Sequence, residues 1–442
     1  MGDAQRYTEY TNTLRQLASD AATGLPVALD QLRASIDGEA SAQLRRLVPL
    51  DYRRKVGAFF TPAPLKERVA SLIRSHKTSV YLDPTCGSGD LLLAASSILP
   101  TGATLRETLE EWTHRLHGYE INEEFVAAAR YRLVIAAMLR HGIAEGTLRP
   151  NFDFASYFSN IIVADGLARL SKPSNFDGHI LLNPPFGTIS ADARVPWTVR
   201  PTSAAAVFTY HAMTHLSQGG RMTAILPDVL RSGSRYRSWR EQMDTLGVKE
   251  PLVTYGQFDE HADVDVFLLA MKAAPEHEVE SRSDWWASTP TAESAGRVDD
   301  RFTVRVGSVV DNRDPLEGPE YPFARAKDLP ASGEMSLPGR KRRFAGTVFK
   351  PPFVLIRRTS RPTIPGQTRV SGVLVTGKRS ISVDNHLIVA MPRDGAVDSC
   401  RDLLEVLACR ETTEWLDNRI RCRHLTVGAV RDIPWTVHSL DE

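Results

Sequence analysis

Three polar residues close successive apolar runs: Glu120 ends HGYE, Asp165 ends IIVAD, and Asn183 ends HILLN, followed at once by Pro184, Pro185 and Phe186. A carboxylate at a strand end, such as Glu120, can accept both hydroxyls of a ribose, and one at the next strand end, such as Asp165, can accept an exocyclic amine of adenine. The Asn-Pro-Pro-Phe turn suits a different task. An aromatic amine is a poor nucleophile because its lone pair is delocalised into the ring. Two acceptors holding both N–H bonds draw the nitrogen toward tetrahedral geometry and free that pair. The side-chain oxygen of Asn183 and the backbone carbonyl of Pro184 are such acceptors, while Pro184 and Pro185 fix the carbonyl directions and remove competing donors. Phe186 offers a face for an unstacked base, worth about 1–3 kcal/mol.

A fourth feature precedes these. Strand SVYL runs into Asp83, Pro84, Thr85, Cys86, Gly87, Ser88 and Gly89, and then into a helix. Glycines there let backbone N–H groups approach a ligand beside a helix N-terminus. A dinucleotide site is disfavoured: Leu92 stands where a third glycine belongs, and Glu120 lies 31 residues past Gly89 rather than about 20.

The elements that must position these residues are legible as alternation. Strand-like runs SVYLD, HGYEI, NIIVAD, HILLN, RMTAIL, LVTYG and VDVFLLAM interleave with helical stretches at 90–98, 123–140, 205–217 and 234–244. This predicts an α/β protein with a mostly parallel, doubly wound sheet. Asn122 is placed to cap the 123–140 helix and Gly142 to follow its end. Residues 1–50 carry helix-like spacing (Leu14, Leu17, Ala21; Leu29, Leu32, Ile36) and read as a helical segment. The polar stretch 276–300 reads as a boundary, giving divisions at 1–50, 51–275 and 276–442.

Composition narrows the class. A chain of 442 residues with 42% hydrophobic and 24% charged residues is an ordinary soluble globular protein, neither disordered nor fibrous. Cys86, Cys400, Cys409 and Cys422 form no CxxC pair, which suits a reducing, cytoplasmic setting without structural zinc. No signal peptide or membrane span is expected. The net charge of +1 hides an asymmetry: from Met335 to Val383 no acid occurs, while Arg340, Lys341, Arg342, Arg343, Lys350, Arg357, Arg358, Arg361, Arg369, Lys378 and Arg379 supply eleven cations. Interleaved with Phe344, Phe349 and Phe353, the tract predicts contact with a polyanion, namely DNA.

Taken in order, GAFFTP (57–62), DPTCGSG (83–89), GYEIN (118–122), VADG (163–166), FDGHILLNPPFG (176–187), GGRMTAILP (219–227) and VDVFLLAM (264–271) resemble the N6-adenine DNA methyltransferases of the gamma class, close in pattern to modification subunits of restriction systems. The resemblance covers roughly residues 50–275 and implies a Rossmann-like, S-adenosylmethionine-dependent methyltransferase fold with C-terminal target recognition. By that resemblance Phe59, Phe60 and Thr61 help close over S-adenosylmethionine. The glycine loop (Asp83, Pro84, Cys86, Gly87, Gly89) holds its methionine part, Glu120 its ribose and Asp165 its adenine. Ile121 and Gly166 flank these carboxylates, and Asn183 borders the same site. Phe258 is implied as the second aromatic flanking the extruded base, beside Phe186. Asp90 departs from the family pattern, standing where small residues are frequent.

The activity so implied is methyl transfer to N6 of a flipped adenine in a specific double-stranded DNA sequence, by direct displacement with no metal. Two alternatives remain: a methyltransferase acting on another planar amine (guanine N2 in RNA, or a protein glutamine), and a non-catalytic DNA-binding specificity subunit. Any endonuclease or other defence subunit would lie on another polypeptide. GVLVTGKR (372–379) falls short of a phosphate-binding loop because Arg379 replaces the required hydroxyl residue. His211 and His215, one helical turn apart, read as packing or surface histidines, Cys422 and His424 as structural, and Asp263 and Asp265 as edge carboxylates.

Overall fold

Strands form where the apolar runs alternate with helices. The computed structural model describes residues 6–23, 25, 27–76, 80–142, 154–190, 195–259, 262–275, 285, 296–359, 368–420 and 425–435. Two compact units result, one comprising 1–230 with 237–285, the other 231–236 with 286–442.

The first unit is built on one sheet: β1 (Tyr81–Asp83), β2 (Leu116–Glu120), β3 (Ile161–Val163), β4 (His179–Leu182), β5 (Arg221–Pro227), β6 (Gly247–Lys249), β7 (Val253–Asp259) and β8 (Ala262–Ala273). Its order is β3-β2-β1-β4-β5-β8-β6, with β7 also paired to β8. The strands from β3 to β5 are parallel, and β8 runs antiparallel to β5, β6 and β7. Fully buried strands such as HILL read as unbroken apolar runs because helices cover both faces.

The helix Glu123–His141 owes its inward face to Phe125, Ala128, Ala129, Leu133, Ala136 and Ala137, all buried, and ends at Gly142. Asn122 stands at its N-cap position, but its side chain makes no cap hydrogen bond, because its polar atoms are engaged elsewhere. A further helix, Leu105–Arg115, precedes β2; the sequence reading lacked it because only Thr108, Leu109 and Trp112 turn inward. The N-terminal helices Thr8–Thr23, Leu29–Ile36 and Glu39–Leu47 do not form a separate body. Tyr7, Leu14, Leu32 and Leu44 share one apolar core with Leu65, Leu91, Phe125 and Leu133.

The second unit carries a five-stranded sheet ordered Phe302–Val306, Leu387–Pro392, Phe353–Arg357, Gly372–Val375 and Gly333–Met335. Its strand FVLIR is buried on both faces: Val354 and Ile356 join a core with the helices Val397–Ala408 and Arg410–Arg419, while Phe353 and Leu355 join the opposite one. A three-stranded sheet pairs Glu320–Ala324 with Lys341–Arg343 and Ser382–Val383. The near-match to a phosphate-binding loop thus begins as the buried strand Gly372–Val375.

Candidate active site

Parallel register sets the site. Asp83 stands beside Gly118, Leu82 beside Ile180 and Glu120 beside Val163, so the residues closing β1, β2, β3 and β4 gather along one edge. Strand order reverses between β1 and β4, the place where open α/β sheets leave a crevice at their carboxyl ends. A cavity of about 240 Å³ lies there. Phe59, Phe60, Thr61, Asp83, Pro84, Cys86, Gly87, Glu120, Ile121, Asp165, Gly166, Asn183 and Pro185 all line it, joined by Asn122, expected only as a helix cap, and by Tyr119, Phe125 and Phe208, which the sequence did not single out. Gly89, Pro184, Phe186 and Phe258 are not among the lining residues.

Close approach holds these loops together. A side chain at Gly166 would place its Cβ 1.7 Å from the Pro84 carbonyl oxygen, so the turns after β1 and β3 touch only because this residue has none. Gly57, with φ +70°, approaches Pro185 so closely that a Cβ would lie 2.3 Å from that ring's Cβ. The GAFFTP segment is thereby seated on the Asn-Pro-Pro turn.

Charge at the crevice is organised by hydrogen bonds. Glu120 accepts from Gly87 N–H at 3.2 Å through Oε2, and from the Asn122 backbone and side-chain N–H groups at 2.9 and 2.8 Å through Oε1. Burial pushes its carboxyl above the usual range, and these bonds pull it partly back. Asp83, buried, accepts from the Thr85 backbone N–H at 2.9 Å, yet burial pushes its pKa up to about 7. Asp165 is exposed and caps the helix Gly166–Leu170 by accepting from Ala168 N–H at 3.1 Å through Oδ1. Asp83, Glu120 and Asp165 can take an ammonium, a pair of hydroxyls and an exocyclic amine respectively.

Asp90 finds its reason here. It is paired at 2.8 Å with the guanidinium of Arg132, which is 0% exposed and also donates to the Ser88 carbonyl (2.6 Å), the Ser88 hydroxyl (3.0 Å) and the Ser35 carbonyl (2.7 Å). The glycine loop is thus tied to the helix behind it by a buried charge pair. An arginine amid alanines on an apolar helix was the available signal.

Asn183 follows β4, and its Nδ2 donates to the Phe59 carbonyl at 3.3 Å and the Thr61 hydroxyl at 3.0 Å. With both amide hydrogens directed to that segment, the side-chain oxygen is the end left to accept. Phe186 is half-buried and meets Phe258 edge to face, with ring centroids 5.5 Å apart and planes at 84°. Phe258 is only 2% exposed, so here it buttresses Phe186 and offers no open face to a second ring.

The basic tract lies in the second unit and is less uniform than its composition. Arg342 is buried and paired with Asp311, and Arg369 is buried and paired with Asp417 at 2.6 Å. Arg357 donates to the carbonyls of Ala326, Leu329 and Pro330, and Arg358 to that of Asn385. Phe344, Phe349 and Phe353 are buried in cores and stack no base. The exposed cations are Arg340, Lys341, Arg343, Lys350, Lys378 and Arg379, with Lys341 3.1 Å from Glu320; Arg361 lies outside the described residues. His211 is buried and His215 half-buried on the helix Ala204–His215; the side chain of Asp263 and residues Cys422 and His424 are also outside the described set. No helix among the described residues is long and apolar enough to cross a membrane.

Residues 50–245 match the sequence profile of the family described as N-6 DNA Methylase. The Type I restriction enzyme EcoKI methylase subunit of Escherichia coli K12 is 30% identical over 184 residues, covering 40% of this chain and 33% of that protein, and the StySJI methylase subunit of Salmonella typhimurium LT2 matches to the same extent. The chain therefore spans about a third of the length of these curated relatives. The solved structure of the Type IIL restriction-modification enzyme MmeI in complex with DNA aligns with a TM-score of 0.53 over 89% of this chain and 70% of that one; at 10% identity the likeness is one of fold. Through residues 50–245, the chain is similar in sequence to the N-6 DNA Methylase family.

Proposed function

We propose that the protein transfers a methyl group from S-adenosylmethionine to N6 of an adenine extruded from a specific double-stranded DNA sequence, within a restriction-modification system in the cytoplasm. One observation carries this: the amide of Asn183 is oriented by Phe59 and Thr61 so that its oxygen remains to accept, on the same crevice that Asp83, Glu120 and Asp165 line. The carboxylates fit the cofactor's ammonium, ribose and adenine in turn, and the glycine loop lies beside them. When bound there, the cofactor supplies an electrophilic methyl group on a sulfonium.

The chain's own residues do the rest. Asn183 Oδ1 and the Pro184 carbonyl accept the two N–H bonds of the amine and localise its lone pair; Pro184 and Pro185 add no competing N–H donor. Phe186, braced by Phe258, receives the base on its face. Because a base stacked in a duplex cannot enter such a crevice, extrusion precedes transfer. The exposed cations of the second unit, Arg340, Lys341, Arg343, Lys350, Lys378 and Arg379, contact the DNA backbone in a recognition region spanning 276–442, and a separate restriction endonuclease or other defence subunit accompanies the chain.

The test feeds methyl-labelled methionine to cells with and without the gene and counts label in DNA, RNA and protein. Gene-dependent label confined to DNA is expected. Label appearing in RNA or protein instead would establish another planar amine or amide as the substrate.

A further inference from the structure

The residue that orients Glu120 comes from outside the sheet. The helix Leu50–Val56 places the hydroxyl of Tyr52 3.0 Å from Asn122 Oδ1, to which it donates. The other end of that amide donates through Nδ2 to Glu120 Oε1 at 2.8 Å, and the Asn122 backbone N–H reaches the same oxygen at 2.9 Å. An amide has one accepting end and one donating end. Because an ionised carboxylate only accepts, the NH₂ faces Glu120, and the Tyr52 hydroxyl, donating to the oxygen at the other end, pins the amide in that orientation. Tyr52 is 70 residues away in sequence and half-buried, and it lies just ahead of the GAFFTP segment that lines the crevice.

We propose that Tyr52 is a positioning residue for cofactor recognition, acting through Asn122 to hold the Glu120 carboxylate in the direction that accepts the ribose hydroxyls; this rests on the cofactor reading above. The relay explains why Asn122 stands at an N-cap position without capping. It also keeps both Asn122 bonds on Glu120 Oε1, so that Oε2, which takes the Gly87 N–H at 3.2 Å, retains capacity to accept a ligand hydroxyl. Burial disfavours the ionised carboxyl of Glu120 while the Asn122 bonds favour it, so a loosened amide weakens the acceptor as well as misaiming it.

The experiment is titration calorimetry on the full chain, wild type and Tyr52→Phe, with S-adenosylmethionine and with its analogue lacking both ribose hydroxyls. Tyr52→Phe raises the Kd of S-adenosylmethionine about three- to tenfold, the worth of one neutral hydrogen bond, and leaves that of the dideoxy analogue within about twofold. Asn122→Ala shows the same ligand-selective pattern. Equal weakening of both ligands, or no weakening of either, overturns the proposal and leaves Tyr52 a packing residue. Failure of the wild type to bind either ligand refutes instead the cofactor reading beneath it.

Discussion

Removing the Asp90 carboxylate tests whether the glycine loop is held by charge. In Asp90→Ala the guanidinium of Arg132, fully buried, keeps only neutral acceptors: the carbonyls of Ser35 and Ser88 and the Ser88 hydroxyl. Breaking a buried pair by deleting one partner costs about 3–5 kcal/mol. Three retained hydrogen bonds place this case at the lower end, about 3 kcal/mol. At about 2–4 °C per kcal/mol for a unit of this size, the melting transition of the first unit falls by about 6–12 °C, which scanning calorimetry reads directly. The double variant Asp90→Ala/Arg132→Met removes the orphaned charge as well and recovers part of the loss. A single variant melting within about 1 °C of wild type, or a double variant worse than the sum of its parts, would refute the reasoning.

Other consequences follow from the same arrangement of side chains. Thr61→Val deletes one of the two acceptors that orient Asn183 and lowers single-turnover methylation about fivefold, the worth of about 1 kcal/mol, with DNA affinity unchanged; an unaltered rate removes Thr61 from that role. Because the cofactor-free pKa of Asp83 is about 7 and a cationic cofactor selects its ionised form, affinity falls as pH drops below about 7, by up to tenfold per unit, and Asp83→Asn flattens the profile. The folded protein also holds that proton more tightly than the unfolded chain, so this group costs stability as pH rises from about 4 to 7. Replacing Lys350, Lys378 and Arg379 with Gln reduces the salt slope of DNA binding by about 0.9 per lost phosphate contact, without altering cofactor affinity; an unchanged slope assigns the DNA contacts elsewhere.

What the sequence disclosed was whatever local pattern dictates. Parallel strands are rich in apolar residues, so HILL, buried throughout, and the more open edge strand IIV declare themselves, and the polar residue that soon follows each run marks the crevice edge. Pairings across long separations left no such trace. Nothing in the sequence pairs Arg132 with Asp90, 42 residues away, and Asn122 reads as a helix cap until Tyr52 and Glu120 claim its amide. The basic tract misled in the same manner, because Asp311 and Asp417, which neutralise Arg342 and Arg369, lie outside it. Phe258, implied by the family resemblance as a second base-stacking ring, is buried against Phe186.

The most direct measurement is mass spectrometry of nucleosides from the DNA of cells expressing either the wild-type chain or Asn183→Ala. The wild type should yield N6-methyladenine; the variant, lacking one preorganised acceptor worth about 3–4 kcal/mol, should leave it reduced about a hundredfold or more while its purified form still binds S-adenosylmethionine. Equal N6-methyladenine in both strains, or a methyl group found on cytosine instead, would contradict the account.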